Sequence, residues 1–306
     1  MVLTGLFVPL ITPFDAAGAV ALPALETLAH DVLSAGAAGL VALGTTGEPG
    51  SLTPAERRDV VDVAARVCRE RRARLIVGTD AAFDGRPEIT AALSVVPPFV
   101  RPGEEGVIAH FTALASASPV PLVIYHVPYR TAQTLSAQAI RRLAAIPGVI
   151  GIKLAAGGID ADTIELLADP PEGFAILGGE DQFLSPLLAL GAHGGITASA
   201  HVATGHFTEL ASAWRAGSSG HARTLGHRLA PLAAALFAEP NPTVIKGVLH
   251  AQSRIPTADV RLPLLPAAAE SVRSALDAHG AVTQHGDPRI GEALRADQLQ
   301  VVVANE

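Results

Sequence analysis

An α/β fold of the (β/α)8 TIM-barrel type, with further helices after the barrel, is the architecture these 306 residues predict. Eight short apolar runs alternate with longer segments of helical period. Most of the runs lack polar alternation, as expected of parallel strands covered by helices on both faces. The pattern G-A-x-G-x-aliphatic also occurs twice, at Gly36–Val41 and Gly191–Ile196, each where a helix should stop and a strand begin. The length is compatible with one large barrel, and a doubly wound open sheet is the second reading.

The expected strands are Leu6–Ile11, Gly39–Leu43, Leu75–Gly78, Ala92–Val96, Leu122–Tyr125, Val149–Lys153, Ala175–Gly178 and Gly194–Thr197. Helix starts between them are readable. Thr53-Pro54-Ala55-Glu56 offers Thr as N-cap, Pro at the first helical position and Glu at the third, and Ser136 precedes another helical run. In the repeated motif, glycine is suited to a left-handed helix cap. The third crossover, about residues 79–91, is close to the minimum for a parallel connection and leaves room for a helix of a turn or two. From Val202 to about Gly280 the periodicity is helical only. The expected organisation is a barrel over 1–218, a C-terminal helical extension over 219–280 and a loosely attached tail over 281–306.

Composition narrows the function classes. Hydrophobic residues make up 49% of the chain and charged ones 17%, enough for a sizeable core. A net charge of −7 argues against a nucleic-acid groove or an anionic membrane surface as partner. The single cysteine, Cys68, excludes an intrachain disulfide framework and fits a reducing compartment. Met1–Ile11 lacks a basic start and is interrupted by Pro9, so it does not read as a signal peptide, and no apolar stretch is long enough to span a membrane. A cytoplasmic protein is the expectation. The 11 histidines show no metal-ligand spacing, so no metal is expected and solvated or capping roles are assigned to them.

Lysine is almost absent: only Lys153 and Lys246 occur. Lys153 closes the apolar run Val149-Ile150-Gly151-Ile152-Lys153, which places an amine at a buried strand end. Burial disfavours the ammonium form, and a neutral amine attacks carbonyl carbon, so Schiff-base chemistry is one reading. A side chain that leaves the strand for solvent is the other. In a barrel, chemistry gathers at the carboxyl ends of the strands. Those ends also carry Gly44-Thr45-Thr46-Gly47-Glu48, Pro97-Pro98-Phe99, Tyr125-His126-Val127-Pro128-Tyr129-Arg130 and Gly178-Gly179-Glu180-Asp181. The threonine turn could hold a small carboxylate or simply cap a helix. Tyr125 could relay protons to a hydroxyl such as Thr45, or be a core residue with a satisfied hydroxyl. Arg130 could grip a second carboxylate or form a surface ion pair. Lys246 follows Glu239-Pro240-Asn241-Pro242 on a late helix and reads as structural or solvated. Glu180-Asp181 reads as a helix start, and Cys68 as an inert thiol.

Taken together, Gly44–Glu48, Arg101-Pro102 with Glu105-Gly106, Tyr125-x-Val127-Pro128-x-Arg130-Thr131, Gly151-Ile152-Lys153 and Glu239–Pro242 resemble the dihydrodipicolinate synthase and N-acetylneuraminate lyase superfamily of pyruvate-dependent class I aldolases. The resemblance runs from about residue 5 to about residue 277. It implies that Lys153 forms an imine with pyruvate, with no other cofactor. It further implies that Thr45 and Thr46 hold the pyruvate carboxylate, that Tyr125 relays protons, and that backbone at Gly178 and Ile196 lines the pocket. Arg130-Thr131 is the mark of the synthases, in which the arginine binds the carboxylate of aspartate semialdehyde. The implied activity is therefore a lyase of lysine biosynthesis, assembled as a homotetramer or homodimer. An aldolase or dehydratase for another 2-keto acid, of the keto-deoxy sugar acid type, and a catalytically impaired keto-acid-binding homologue remain open.

The chain departs from the synthase pattern at definite places. Pro98-Phe99 stands where relatives carry a tyrosine pair, so the relay loses a hydroxyl, and Tyr129 is the expected substitute. His126 and Tyr129 replace the common Asn and Ser, and the third crossover is short. Pro49, Gly50, Pro54 and Pro98 occupy the positions of the lysine-inhibition site of many relatives, so control by lysine is not expected.

Overall fold

The computed structural model of the chain describes residues 2–78 and 86–283. The chain runs β1 Gly5–Pro9, α1 Leu22–Ser34, β2 Gly39–Ala42, α2 Pro54–Arg71, β3 Arg74–Gly78 and β4 Ile89–Val95. It continues through α3 Gly103–Ala117, β5 Leu122–His126, α4 Pro128–Thr131, α5 Ala137–Ala144, β6 Val149–Leu154, α6 Ala161–Ala168, β7 Ala175–Gly178, α7 Leu184–Ala189 and β8 Gly194–Ile196. Helices α8 Ala200–Arg215, α9 Ser219–Leu236, α10 Thr243–Ala251 and α11 Ala269–Thr283 follow. The eight strands pair in parallel in sequence order, and β1 closes on β8 through Gly5↔Gly194 and Phe7↔Ile196, so the sheet is a closed barrel.

Local chemistry explains the boundaries. Thr53 and Glu56 form a reciprocal capping box at the start of α2, with Pro54 at the first helical position. The Ser136 side chain accepts from the Ala139 N–H at the start of α5. Gly36 and Gly191 stand at φ +98° and +104°, the left-handed region that a side chain would strain, which explains the repeated motif after α1 and α7.

The strand bounds differ from expectation at β1, which runs Gly5–Pro9 rather than Leu6–Ile11, by single residues at β2, β3, β5 and β6, and at β4 and β8. β4 begins at Ile89 rather than Ala92, because Ile89 pairs with Leu75 across a register shift that the neighbouring Pro87 and Thr90 hide in sequence. β8 ends at Ile196, one residue early. The expected short helix in the third crossover falls largely on residues 79–85, outside the described residues. Of the described part, 86–88, none is helical. The tail expected over 281–306 lies outside the described residues from 284 onward; residues 281–283 complete α11.

Strand residues of one parity point into the barrel. Phe7, Val41, Ile76, Leu93, Val123, Tyr125, Leu177 and Ile196 pack together there, while larger apolar clusters fill the layer between strands and helices. Lys153 has the same inward parity as Gly151 and Ala155 on and just after β6. The fold therefore aims its amine into the carboxyl-end mouth.

Candidate active site

Lys153 directly follows the apolar strand residues Val149–Ile152 and faces Tyr125 across the β5–β6 ladder, where the two are register partners. Both side chains are buried, Lys153 at 7% exposure and Tyr125 at 9%. The amine lies 4.4 Å from the Tyr125 ring centroid. Parallel pairing thus fixes the two backbones, and inward parity brings amine and phenol together.

Lys153 opens into a cavity of about 520 Å³ lined by Thr45, Thr46, Tyr125, Tyr129, Arg130, Gly179, Glu180, Asp181, Ala198 and the segment Phe237–Asn241. A second cavity of about 510 Å³ adjoins it, sharing Thr45, Tyr125, Arg130 and Asn241, with Leu93, Val95 and Leu262-Pro263-Leu264 making it more apolar. Thr45–Gly47 form a single 3-10 turn directly after β2. Thr12 Oγ1 donates to the Gly47 carbonyl at 2.8 Å, and Asn241 Nδ2 donates to Thr46 Oγ1 at 2.9 Å. Arg130 and Tyr129 stand on α4, directly after β5, with the guanidinium 4.8 Å above the tyrosine ring. Desolvation raises the Tyr129 phenol above its ordinary range, against the opposing pull of Arg130.

The structure therefore brings together Lys153, Tyr125, Thr45, Thr46, Arg130 and Tyr129. It does not place Gly178 or Ile196 on the cavity wall. Gly178 packs against Leu184 and Leu187, and Ile196 is fully buried inside the barrel. Their places on the wall are taken by Gly179 and Ala198, one and two positions further along, just past the ends of β7 and β8. Gly179 has a steric role. A Cβ there would stand 2.7 Å from Lys153 Cγ and 2.9 Å from Cε, so the absent side chain is the space the lysine stem occupies. Phe99 is 91% exposed with a left-handed backbone, φ +71°, and does not line the cavity.

Several residues assigned bland roles from sequence are closer to the site than expected. Glu180 and Asp181 both line the cavity. Burial raises the Glu180 carboxyl, against the cations Lys153 and Arg130, and it pushes Asp181 up to about 6. Asp181 accepts from the Ser199 N–H at 2.5 Å. Of the two roles read for Lys246, structural or solvated, the solvated one does not hold. Lys246 is wholly buried and donates to Glu48 at 2.5 Å, directly behind the threonine turn. Burial lowers its ammonium to about 8, against the stabilising Glu48 carboxylate. His126 and His201 are buried rather than solvated, and burial holds both down to about 4. Cys68 is buried and raised to about 12, an unreactive thiol as expected. Among the described residues no group of three His, Cys, Asp or Glu is arranged to hold a metal, and no helix is long and apolar enough to cross a membrane.

The model of the dihydrodipicolinate synthetase family matches residues 2–279. The 4-hydroxy-tetrahydrodipicolinate synthase of Neisseria gonorrhoeae is 36% identical over 291 residues, covering 91% of this chain and 99% of its own. Among solved structures, the chloride-inhibited dihydrodipicolinate synthase of Acinetobacter baumannii, complexed with pyruvate, superimposes with a TM-score of 0.83 at 33% identity, covering 91% of this chain and 99% of its own. A monomeric dihydrodipicolinate synthase variant superimposes with a TM-score of 0.84 at 27% identity, covering 91% of this chain and 96% of its own. With the match spanning barrel and extension alike, this chain belongs to the dihydrodipicolinate synthetase family.

Proposed function

We propose that the chain is a 4-hydroxy-tetrahydrodipicolinate synthase, condensing pyruvate with aspartate semialdehyde through an imine on Lys153. The observation that carries this reading is the buried Lys153 amine, 4.4 Å from the Tyr125 ring and open to a cavity that Thr45, Thr46 and Arg130 also line. The amine attacks C2 of pyruvate, Tyr125 delivers a proton to the departing oxygen, and water leaves. The protonated imine then draws electrons as C3 loses a proton, and the resulting enamine adds to the aldehyde carbon, whose oxygen takes up a proton. The amino group of the semialdehyde displaces the Lys153 amine from C2, closing the ring and freeing the enzyme. The imine is itself the electron sink, so this sequence calls on no other cofactor.

In this reading Thr45 and Thr46 hold the pyruvate carboxylate and Thr45 continues the proton path from Tyr125. Arg130 grips the carboxylate of the second substrate with its two-pronged donor set. Tyr129, on the same short helix, supplies the hydroxyl that Phe99 lacks. We place the chain in the cytoplasm as a homodimer or homotetramer, with the barrel over 1–218 and the extension over 219–280. Light scattering decides the oligomer.

A substrate panel tests the activity. Ring-forming turnover with pyruvate and aspartate semialdehyde is expected, and it is expected to lose most of its efficiency in Arg130→Ala through KM for the semialdehyde. The exposed, hydroxyl-free Phe99 favours a second reading, an aldolase or dehydratase for another 2-keto acid or an impaired homologue. Cleavage of a keto-deoxy sugar acid without semialdehyde turnover selects the former, and a trapped pyruvate adduct without any turnover selects the latter.

A further inference from the structure

The turn that presents Thr45 and Thr46 is tied down mainly by chain that follows the barrel. Beside the Thr12 bond and the local Ser51 hydroxyl, which donates to the Glu48 carbonyl at 2.9 Å, three side-chain anchors involve residues about 200 positions away. Asn241 Nδ2 donates to Thr46 Oγ1 at 2.9 Å, Lys246 Nζ donates to Glu48 Oε1 at 2.5 Å, and the Arg261 N–H donates to Glu48 Oε2 at 2.9 Å. Glu48 needs such restraint, because its backbone is left-handed at φ 53°, ψ 42°, a conformation that costs a residue with a side chain.

Lys246 is fully buried and meets three partners: Glu48, the Asp259 carbonyl at 2.8 Å, and the Phe14 ring, whose centroid is 4.1 Å away. A wholly desolvated ion pair contributes little net stability over an apolar pair of the same shape. What it does contribute is direction, since a carboxylate fixed at both oxygens allows one placement of the turn.

Asn241 acts on the other side of Gly47. Its N–H engages a lone pair of Thr46 Oγ, which leaves the hydroxyl proton of Thr46 free to donate toward the cavity that Thr46, Asn241 and Lys153 all line. An acceptor in that place would take the same proton and turn the hydroxyl away from an anion. Asn241 Oδ1 is buried without a hydrogen-bond partner, and the residue lines the same cavity as Thr46 and Lys153.

We propose that Asn241 and Lys246 are positioning residues for carboxylate recognition: Asn241 orients the Thr46 hydroxyl as a donor, and Lys246, through Glu48, fixes the turn that carries it. This rests on the reading that Lys153 forms an imine with a keto acid. It makes the C-terminal extension part of the substrate site and assigns selectivity for 2-keto acids over neutral ketones to residues far from Lys153 in sequence.

The test is borohydride trapping on the full chain, read by intact mass, with pyruvate and with acetone, a ketone without a carboxylate. Asn241→Ala is expected to raise the half-saturating pyruvate concentration about tenfold, the loss of one well-placed hydrogen bond to a charged group. Asn241→Asp, which accepts the Thr46 proton and adds a like charge, is expected to raise it further. Trapping with acetone should stay within about twofold of wild type, and saturating pyruvate should restore the full adduct. The double variant Glu48→Gln with Lys246→Met avoids an unpaired buried charge and should show the same pyruvate-specific shift. If the Asn241 variants shift both ketones equally, or shift neither, the proposal is overturned, whatever the double variant does. If wild type gives no pyruvate adduct, the imine reading falls and takes the proposal with it; adduct with unshifted variants overturns the proposal alone.

Discussion

Gly179→Ala concentrates the steric argument in one methyl group. The added Cβ would lie 2.7 Å from Lys153 Cγ, 2.9 Å from Lys153 Cε and 3.2 Å from Ala155 Cβ. Carbon atoms in ordinary contact stand about 3.5–4.0 Å apart, so the lysine stem has to move by about 1 Å. It cannot yield at its root, because Lys153 is held in the ladder opposite Tyr125 and Leu177. Overpacking of this kind costs about 1–3 kcal/mol of stability, a fall of several degrees in Tm. The effect on rate should be larger, since misplacing a reacting group by about 1 Å costs about a hundredfold. The assay pairs kcat with the rate of borohydride trapping at saturating pyruvate, and circular dichroism confirms the fold. A variant that folds, traps pyruvate at the wild-type rate and turns over within about twofold of wild type would refute the claim that Gly179 makes room for the nucleophile.

Two further outcomes follow from the same structure. Tyr129→Phe should lower kcat by about a hundredfold, the usual scale of a lost proton-transfer group, with little change in imine trapping; unaltered turnover removes Tyr129 from the relay. Acid stability is set by buried imidazoles. His201 accepts from the Ile11 N–H at Nε2 and meets the Ala198 carbonyl at Nδ1, so both nitrogens are satisfied in the neutral ring. Burial holds His201 and His126 at about 4, while the unfolded chain protonates near the ordinary value of 6.5. Their stabilisation is complete above that value and is lost as pH falls from 6.5 to 4, up to about 3 kcal/mol each. Asp181, raised by burial to about 6, works in the opposite sense, its cost being relieved as pH falls from 6 toward 3.8. His193 and His279, also lowered by burial, add to the loss, and Glu180, raised by burial, offsets part of it, so Tm should fall between pH 7 and pH 4.5, and His126→Asn should flatten the fall. A Tm that is flat or rises over that range contradicts the neutral-imidazole assignment.

The barrel was legible because its signals are local. Unalternating apolar runs, Thr53 with Glu56, and glycines at 36 and 191 each act within a few residues, and the eight strands appear in the expected order, with the end of β1 and the start of β4 shifted by two and three residues. Lys153 was legible for the opposite reason: a chain so poor in lysine spends one on a buried strand end. What sequence could not deliver was distance across the barrel. Gly179 has meaning only once Lys153 of β6 is seen to lie over the loop after β7. Lys246 and Glu48 are 198 positions apart, and nothing near either residue announces the other. A glycine after the seventh strand immediately following Gly178 was the available hint, but the motif drew attention to the first of the pair. Glu180 and Asp181 looked like an ordinary helix start, and they are one; the cavity they also line is made by residues from four other strands' ends.

Peptide mapping after borohydride reduction in the presence of pyruvate is the most direct measurement of the nucleophile. The mass of reduced pyruvate is expected on the peptide containing Lys153 and nowhere else, and it should vanish in Lys153→Ala while Lys246 stays unmodified. A label on the Lys246 peptide, or an undiminished label in Lys153→Ala, would contradict the account.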